Sequence, residues 1–246
     1  MDRVLYVVAS GAKQMMQAQA VNTHNLANAS TVGFQADLAN FRTQVLDGPG
    51  HESRAYALAE GIGASFEKGT IQSTGRMLDV AVNGDGWLAV QAPDGSEAYT
   101  RAGNLRVNIN GQLLTGGGHP VMGEAGPIVV PEYEKLDIGT DGTITVRPIG
   151  QTPNTLAEVG RIKLVMTDPE NLVKGEDGLL RTRDNVPVPG NSEVTLVAGA
   201  LESSNVNSVE ALVNMIGLAR QFEVSVKIMQ TAEQMDERTT QLMQLS

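Results

Sequence analysis

The chain has 246 residues, a formal charge of −10 and no cysteine. That length allows one or two domains with a sizeable core. The missing cysteine excludes disulfides, thiol catalysis and thiolate-bound metals, and the negative charge, with no Lys/Arg cluster to offset it, argues against a nucleic-acid or anionic-lipid surface.

At the N-terminus, Leu5-Tyr6-Val7-Val8-Ala9 is shorter than the roughly 7–15-residue apolar core of a secretory signal, and Asp2 offsets Arg3. No stretch approaches the ~18 apolar residues of a membrane helix. The expectation is no membrane insertion and, if the chain leaves the cytoplasm, no cleavable signal peptide. Leu5, Val8, Ala12, Met15, Gln19, Asn22 and Leu26 recur in steps of three and four, which predicts a helix over 5–27. Between Val4 and Ala36 the only formal charge is Lys13. A helix so poor in charge is expected to be covered by other protein rather than by water. Asn25 and Asn28 suit its end, where an amide side chain tolerates left-handed backbone, and Gly33 permits a sharp turn into Phe34.

From Gln35 to Thr74 neither period is sustained, and forty residues are too many for a passive loop. The stretch reads as an extended arm lying across a neighbouring subunit, with Phe34, Phe41 and Phe66 as anchors. A mobile linker is the competing reading. From Met77 short alternating runs are separated by Asn83-Gly84, Asp94-Gly95, Asn110-Gly111 and Asp141-Gly142, the strongest local hairpin signals. Strands are predicted at 78–82, 87–91, 99–101, 105–109, 128–130, 135–138, 143–146, 161–166 and 194–198, making 75–200 an antiparallel β domain.

Asn207 or Ser208 can then cap a second helix, with Glu210 in its first turn. Its apolar stripe is Leu212, Met215, Ala219, Phe222, Val226 and Met229. The predicted fold is therefore α+β: terminal helices (1–34 and 201–246) packed as a coiled-coil-like pair, an arm (35–74) and an inserted antiparallel β domain.

Chemical motifs are missing from the sequence. His24, His51 and His119 are far apart and lack metal-ligand spacing. No Gly-x-Ser-x-Gly marks a nucleophile, and Gly116-Gly117-Gly118 lacks the Lys-Ser/Thr of a phosphate loop. Asp79, Asp85 and Asp94 could supply a carboxylate pair for sugar hydrolysis, but turn and cap roles account for them more simply. No catalytic residue, cofactor or metal site is expected.

The residues do resemble a known family, the axial proteins of the bacterial flagellum and, within them, the rod proteins of the basal body. Asn25-Leu26-Ala27-Asn28, Thr31, Gly33 and Phe34 resemble the rod-protein signature. Leu78–Gly86, Tyr99-Thr100-Arg101-Ala102-Gly103 and Gly126-Pro127-Ile128 are similar to the body shared by rod and hook proteins. Leu201-Glu202, Ser204-Asn205-Val206, Val209, Met215-Ile216, Arg220, Phe222-Glu223 and Lys227 resemble the family's C-terminal helix. Met1-Asp2, Asn28-Ala29-Ser30-Thr31 and Gly86-Trp87-Leu88 look more like the proximal-rod than the distal-rod branch, where an aromatic pair usually follows that glycine. The resemblance implies a hollow helical drive shaft across the periplasm. Its partners would be copies of the chain and the other proximal and distal rod proteins, after delivery through the flagellar type III export apparatus. It makes the inner-helix residues Leu5, Val8, Ala12, Met15, Asn22, Leu26, Leu212, Met215, Ala219, Phe222, Val226 and Met229 the expected subunit interface.

Overall fold

A computed structural model describes residues 2–45, 55–150 and 156–244. The chain divides into two compact units, one of residues 1–29, 37–65 and 206–246 and the other of 30–36 and 66–205.

The first unit contains both long helices, α1 (Asp2–Ala27) and α2 (Ser208–Gln244), with the strands β1 (Asp37–Val45) and β2 (Ala55–Ala64). Asn207 starts α2 as expected: its Oδ1 accepts from the Val209 and Glu210 amides at 3.1 and 3.3 Å. Glu210 adds a favourable charge to that turn. The helices pack antiparallel, since Asn22 Nδ2 donates to the Ala211 carbonyl at 2.7 Å while Ser225 Oγ lies 3.6 Å from Met15 Sδ. On α1 the predicted stripe is covered, with Ala12 buried and Leu5, Val8, Met15, Asn22 and Leu26 half-buried, but Ser10, Gly11, Gln14, Ala18, Val21 and Asn25 outside it are half-buried too. On α2 the seam runs Ala211, Met215, Leu218, Phe222, Ser225, Met229, in steps of four and three. Ala219 and Val226 flank it, half-buried. Leu212 does not join it. It stands one residue, or about 100° of helix, round from Ala211 and is 49 % exposed.

The stretch read as an irregular arm contains an antiparallel hairpin. Asp37 lies opposite Ala64 and Val45 opposite Ala55, with an irregularity between Asn40 and Phe41. β2 is mostly alanine and glycine and carries little strand signal, whereas β1 does alternate from Ala39 to Val45, with Thr43 and Val45 β-branched, over a run too short to stand out in a forty-residue stretch. Pairing, rather than propensity, makes them strands.

The second unit is β throughout, and every pairing among its described strands is antiparallel. Its strands begin with β3 (Ile71–Ser73), β4 (Val80–Asn83), β5 (Trp87–Gln91) and β6 (Glu97–Thr100). Four two-residue strands follow: β7 (Arg106–Val107), β8 (Leu113–Leu114), β9 (Met122–Gly123) and β10 (Gly126–Pro127). Then come β11 (Tyr133–Ile138), β12 (Thr143–Pro148), β13 (Ala157–Arg161) and β14 (Leu164–Val165). The last are β15 (Leu172–Lys174), β16 (Leu180–Thr182), β17 (Thr195–Ala198) and β18 (Ala200–Glu202). The largest sheet has the order β14-β5-β6-β16-β15, and a second has β11-β12-β13. β17 pairs with β4, and β18 with β3.

Strand β5 lies between β14 and β6, and its side chains are divided between cores. Leu88 enters the larger cluster, with Val80, Leu105, Leu113, Ile144 and Leu196. Trp87 and Ala89 enter a second with Tyr99, Val165, Leu172 and Leu180. The predicted strand at 128–130 is reduced to one bridge, Val129 with Gln112. The predicted strand at 161–166 is divided between β13 and β14.

Candidate functional site

The signature Asn25–Phe34 falls across the boundary of the two units, and each half is held by its own set of bonds. In the first unit Asn25 acts as a strand edge. Its Nδ2 donates to the Asp37 carbonyl and its Oδ1 accepts from the Asp37 amide, both at 2.8 Å. His24 Nδ1 lies 2.7 Å from Asp37 Oδ2. Asn28 Nδ2 donates back to the His24 carbonyl at 3.0 Å and closes the last turn of α1 before Ala27 gives way to coil. Neither asparagine adopts the left-handed backbone expected of it, since Asn185 is the only non-glycine residue with positive φ among those described. The side-chain amides are used instead.

In the second unit the other half of the signature docks on the β structure. Thr31 accepts from the Phe34 amide across a turn. Gly33 has φ +64°, and a Cβ there would collide with the Arg101 carbonyl, so both conformation and space require glycine. Its amide donates to the Glu202 carbonyl at 2.8 Å. Lys174 Nζ lies 4.0 Å from the Phe34 ring centroid and donates to the Gln35 carbonyl at 2.7 Å. Asn205 accepts from the Ala36 amide at 2.8 Å through Oδ1 and donates from Nδ2 to the Glu67 carbonyl at 2.9 Å.

Beneath this segment is a buried ion pair. Arg101 Nη1 donates to Glu202 Oε2 at 2.9 Å, and both side chains are 4 % exposed. Arg101 Nη2 donates to the Gly84 carbonyl at 2.9 Å, and the guanidinium stands 4.8 Å from the Trp87 ring centroid. Glu202 Oε1 accepts from the Gly69 amide at 2.9 Å. The pair thus joins the stretches around residues 33, 69, 84, 101 and 202. Phe66 meets Trp87 edge-on at 5.9 Å, so this expected arm anchor is used within its own unit. Phe41 lies opposite Ala59 in the hairpin, and its side chain is outside the described residues.

The carboxylates weighed for hydrolysis have local partners. Asp94 Oδ1 accepts from the Ser96 hydroxyl and amide, which holds its carboxyl below the usual range. Asp85 pairs with Lys68 at 2.8 Å, which lowers it likewise. Asp79 accepts from Thr74 Oγ1 at 2.8 Å and faces Arg76.

What the first unit leaves open is apolar. On α2, Val209, Val213, Ile216 and Val224 lie away from the helix seam with Leu212 beside them, all about half to two-thirds exposed. A groove of about 440 Å³ lies within the same unit, lined by Ala18, Val21 and Asn22 of α1, Leu38 of β1, and Val213 and Gly217 of α2. A Cβ on Gly217 would meet open space.

The comparisons bear on what such a surface is for. Residues 5–35 match the family "Flagella basal body rod protein", 81–146 "Flagellar hook protein FlgE/F/G D1 domain", and 197–242 "Flagellar basal body rod FlgEFG protein C-terminal". Over its whole length the chain is 42 % identical to the whole of the flagellar basal-body rod protein FlgF of Salmonella typhimurium. The chain belongs to the flagellar basal-body rod protein family. The FlgF of Escherichia coli is equally similar, again with both chains fully covered. A flagellar basal-body rod protein FlgG, from Buchnera aphidicola subsp. Schizaphis graminum, is 33 % identical over 94 % of this chain and 97 % of its own. For this FlgF-like rod protein the signature residues Asn25, Asn28, Gly33 and Phe34 have the structural roles just described. Of the residues that hold them, Arg101, Glu202 and Asn205 lie in the motifs that carry the family resemblance, but no local pattern in the sequence links them to Asn25–Phe34 or to one another, and Lys174 carried no signal at all.

Proposed function

We propose that the chain is a structural, non-catalytic subunit of the flagellar basal-body rod, in its proximal part. It assembles there with copies of itself and with other rod proteins into a hollow helical shaft that carries torque across the periplasm. The observation that carries this reading is the open apolar band on α2, from Val209 to Val224. The seam residues, from Leu5 to Leu26 and from Met215 to Met229, are engaged in packing α1 against α2. Subunit contacts therefore use the far side of α2, with Leu212, and the groove beside it, in which Asp37 is the one charged lining residue. A helix with apolar residues on both sides is satisfied only when further protein covers the second side. Contacts of this kind between unlike patches do not close on themselves and generate open helical assemblies. Delivery unfolded, through the flagellar type III export apparatus, agrees with the apolar run 5–9 being too short for a secretory signal and with no helix among the described residues being long and apolar enough to cross a membrane.

Leu212→Asp and Ile216→Asp test the reading. Both side chains are half exposed in the single chain, so each variant is expected to keep its helical content and its melting transition. As the only copy in the cell, each is expected to be absent from isolated basal bodies and to abolish swimming. A motile strain carrying either change would refute the assignment of this face.

A further inference from the structure

Five deeply buried side-chain polar atoms among the described residues of the second unit have no hydrogen-bond partner, and three of them belong to two residues of one site: Gln35 Oε1, Gln35 Nε2 and Arg101 Nε, the others being Asp79 Oδ1 and Arg147 Nε. Gln35 is 6 % exposed and Arg101 4 %. Buried polar groups are nearly always paired, through protein or through ordered water. Both residues line one small cavity, together with Trp87, Tyr99, Thr100 and Leu180. The space in it open to the centre of a water molecule is about 10 Å³, about what one water needs.

Donor and acceptor chemistry narrows the occupant. Arg101 Nε–H can only donate, so whatever meets it must accept. Gln35 offers one acceptor and one donor group. Lys174 also lines the cavity and would favour an anion, while Glu202, paired to the same guanidinium, disfavours one; what decides is that a halide leaves the Gln35 carbonyl unanswered. A water accepts from Arg101 Nε and donates to Gln35 Oε1, with its second lone pair open to Gln35 Nε2. We infer that a single internal water is bound in this cavity and bridges the Gln35 amide to Arg101 Nε. The segment that carries Gly33 and Phe34 is then joined to the buried ion pair by solvent as well as by backbone. This holds whatever the chain assembles with.

A crystal structure of the full chain, at a resolution that shows ordered water, tests it. The expected result is one density peak within about 2.7–3.2 Å of Arg101 Nε and of the Gln35 amide. Gln35→Met is similar in length but has no strong donor or acceptor. It is expected to lose the peak with the backbone of residues 33–36 unmoved. An empty cavity overturns the inference, as does a Gln35 amide bonded directly to protein or a peak that exchanges for bromide in a soak. A peak that persists unchanged in Gln35→Met overturns the bridging role.

Discussion

Arg101 and Glu202 show how much can depend on two side chains. Each is almost fully buried, and each also bonds to backbone: the Gly84 carbonyl for one, the Gly69 amide for the other. Removing one partner leaves the other as an uncompensated charge out of water. Arg101→Leu or Glu202→Leu is therefore expected to cost about 3–5 kcal/mol, read as a lower denaturant midpoint. The double variant should recover part of that loss. Gly33→Ala should be nearly as harmful locally, because it adds both a positive-φ penalty and a collision with Arg101. Tyr99 gives a pH prediction. Burial pushes its phenol up to about 12, helped by Glu97, while its oxygen accepts from the Val188 amide. A raised folded value means that this stability is complete below the ordinary value near 10 and is lost as pH rises from about 10 to about 12. Titrating the melting temperature across that window should show a steeper fall for wild type than for Tyr99→Phe. Equal slopes would count against it.

For the elements, legibility followed how local the signal was. Both helices could be read because three- and four-residue steps and a capping asparagine lie within each segment. Asn83-Gly84 and Asp94-Gly95 marked β4, β5 and β6 for the same reason. Of the β1–β2 hairpin only β1 was legible, in the alternation from Ala39 to Val45; β2, mostly alanine and glycine, fits a strand only when a partner strand is present. That Leu212 stands beside the α1–α2 seam and not in it has a similar origin. Apolar residues occupy both sides of α2, so the period permits two seams one residue apart, and only packing against α1 selects the one through Ala211. Gly217 offers a sharp test of the open side. Glycine within a helix costs about 0.8–1.0 kcal/mol relative to alanine, and among the described residues nothing lies within 4 Å of where its Cβ would be. Gly217→Leu is expected to raise helical content by circular dichroism and to block incorporation into the rod. The two effects have opposite signs, so a merely destabilising substitution could not mimic them.

On the scale of the whole molecule, the β unit extends beyond the predicted 75–200. β3 pairs with β18, Glu202 holds Gly69, and Asn205 holds Glu67. Limited digestion of the unassembled subunit should therefore leave a fragment close to 66–205, identified by its mass, since α2 lacks cover on one side. Protection of the entire chain would contradict this. The bond from the Gly33 amide to the Glu202 carbonyl has a kinetic corollary. Most of the polypeptide lies between its ends, and a contact that closes so large a loop must come late in folding, after the intervening strands have recovered the lost entropy. Any chain that becomes available from its N-terminus onward can fasten this latch only after Glu202, about four fifths of the way along, is free, so connectivity alone delays the lock.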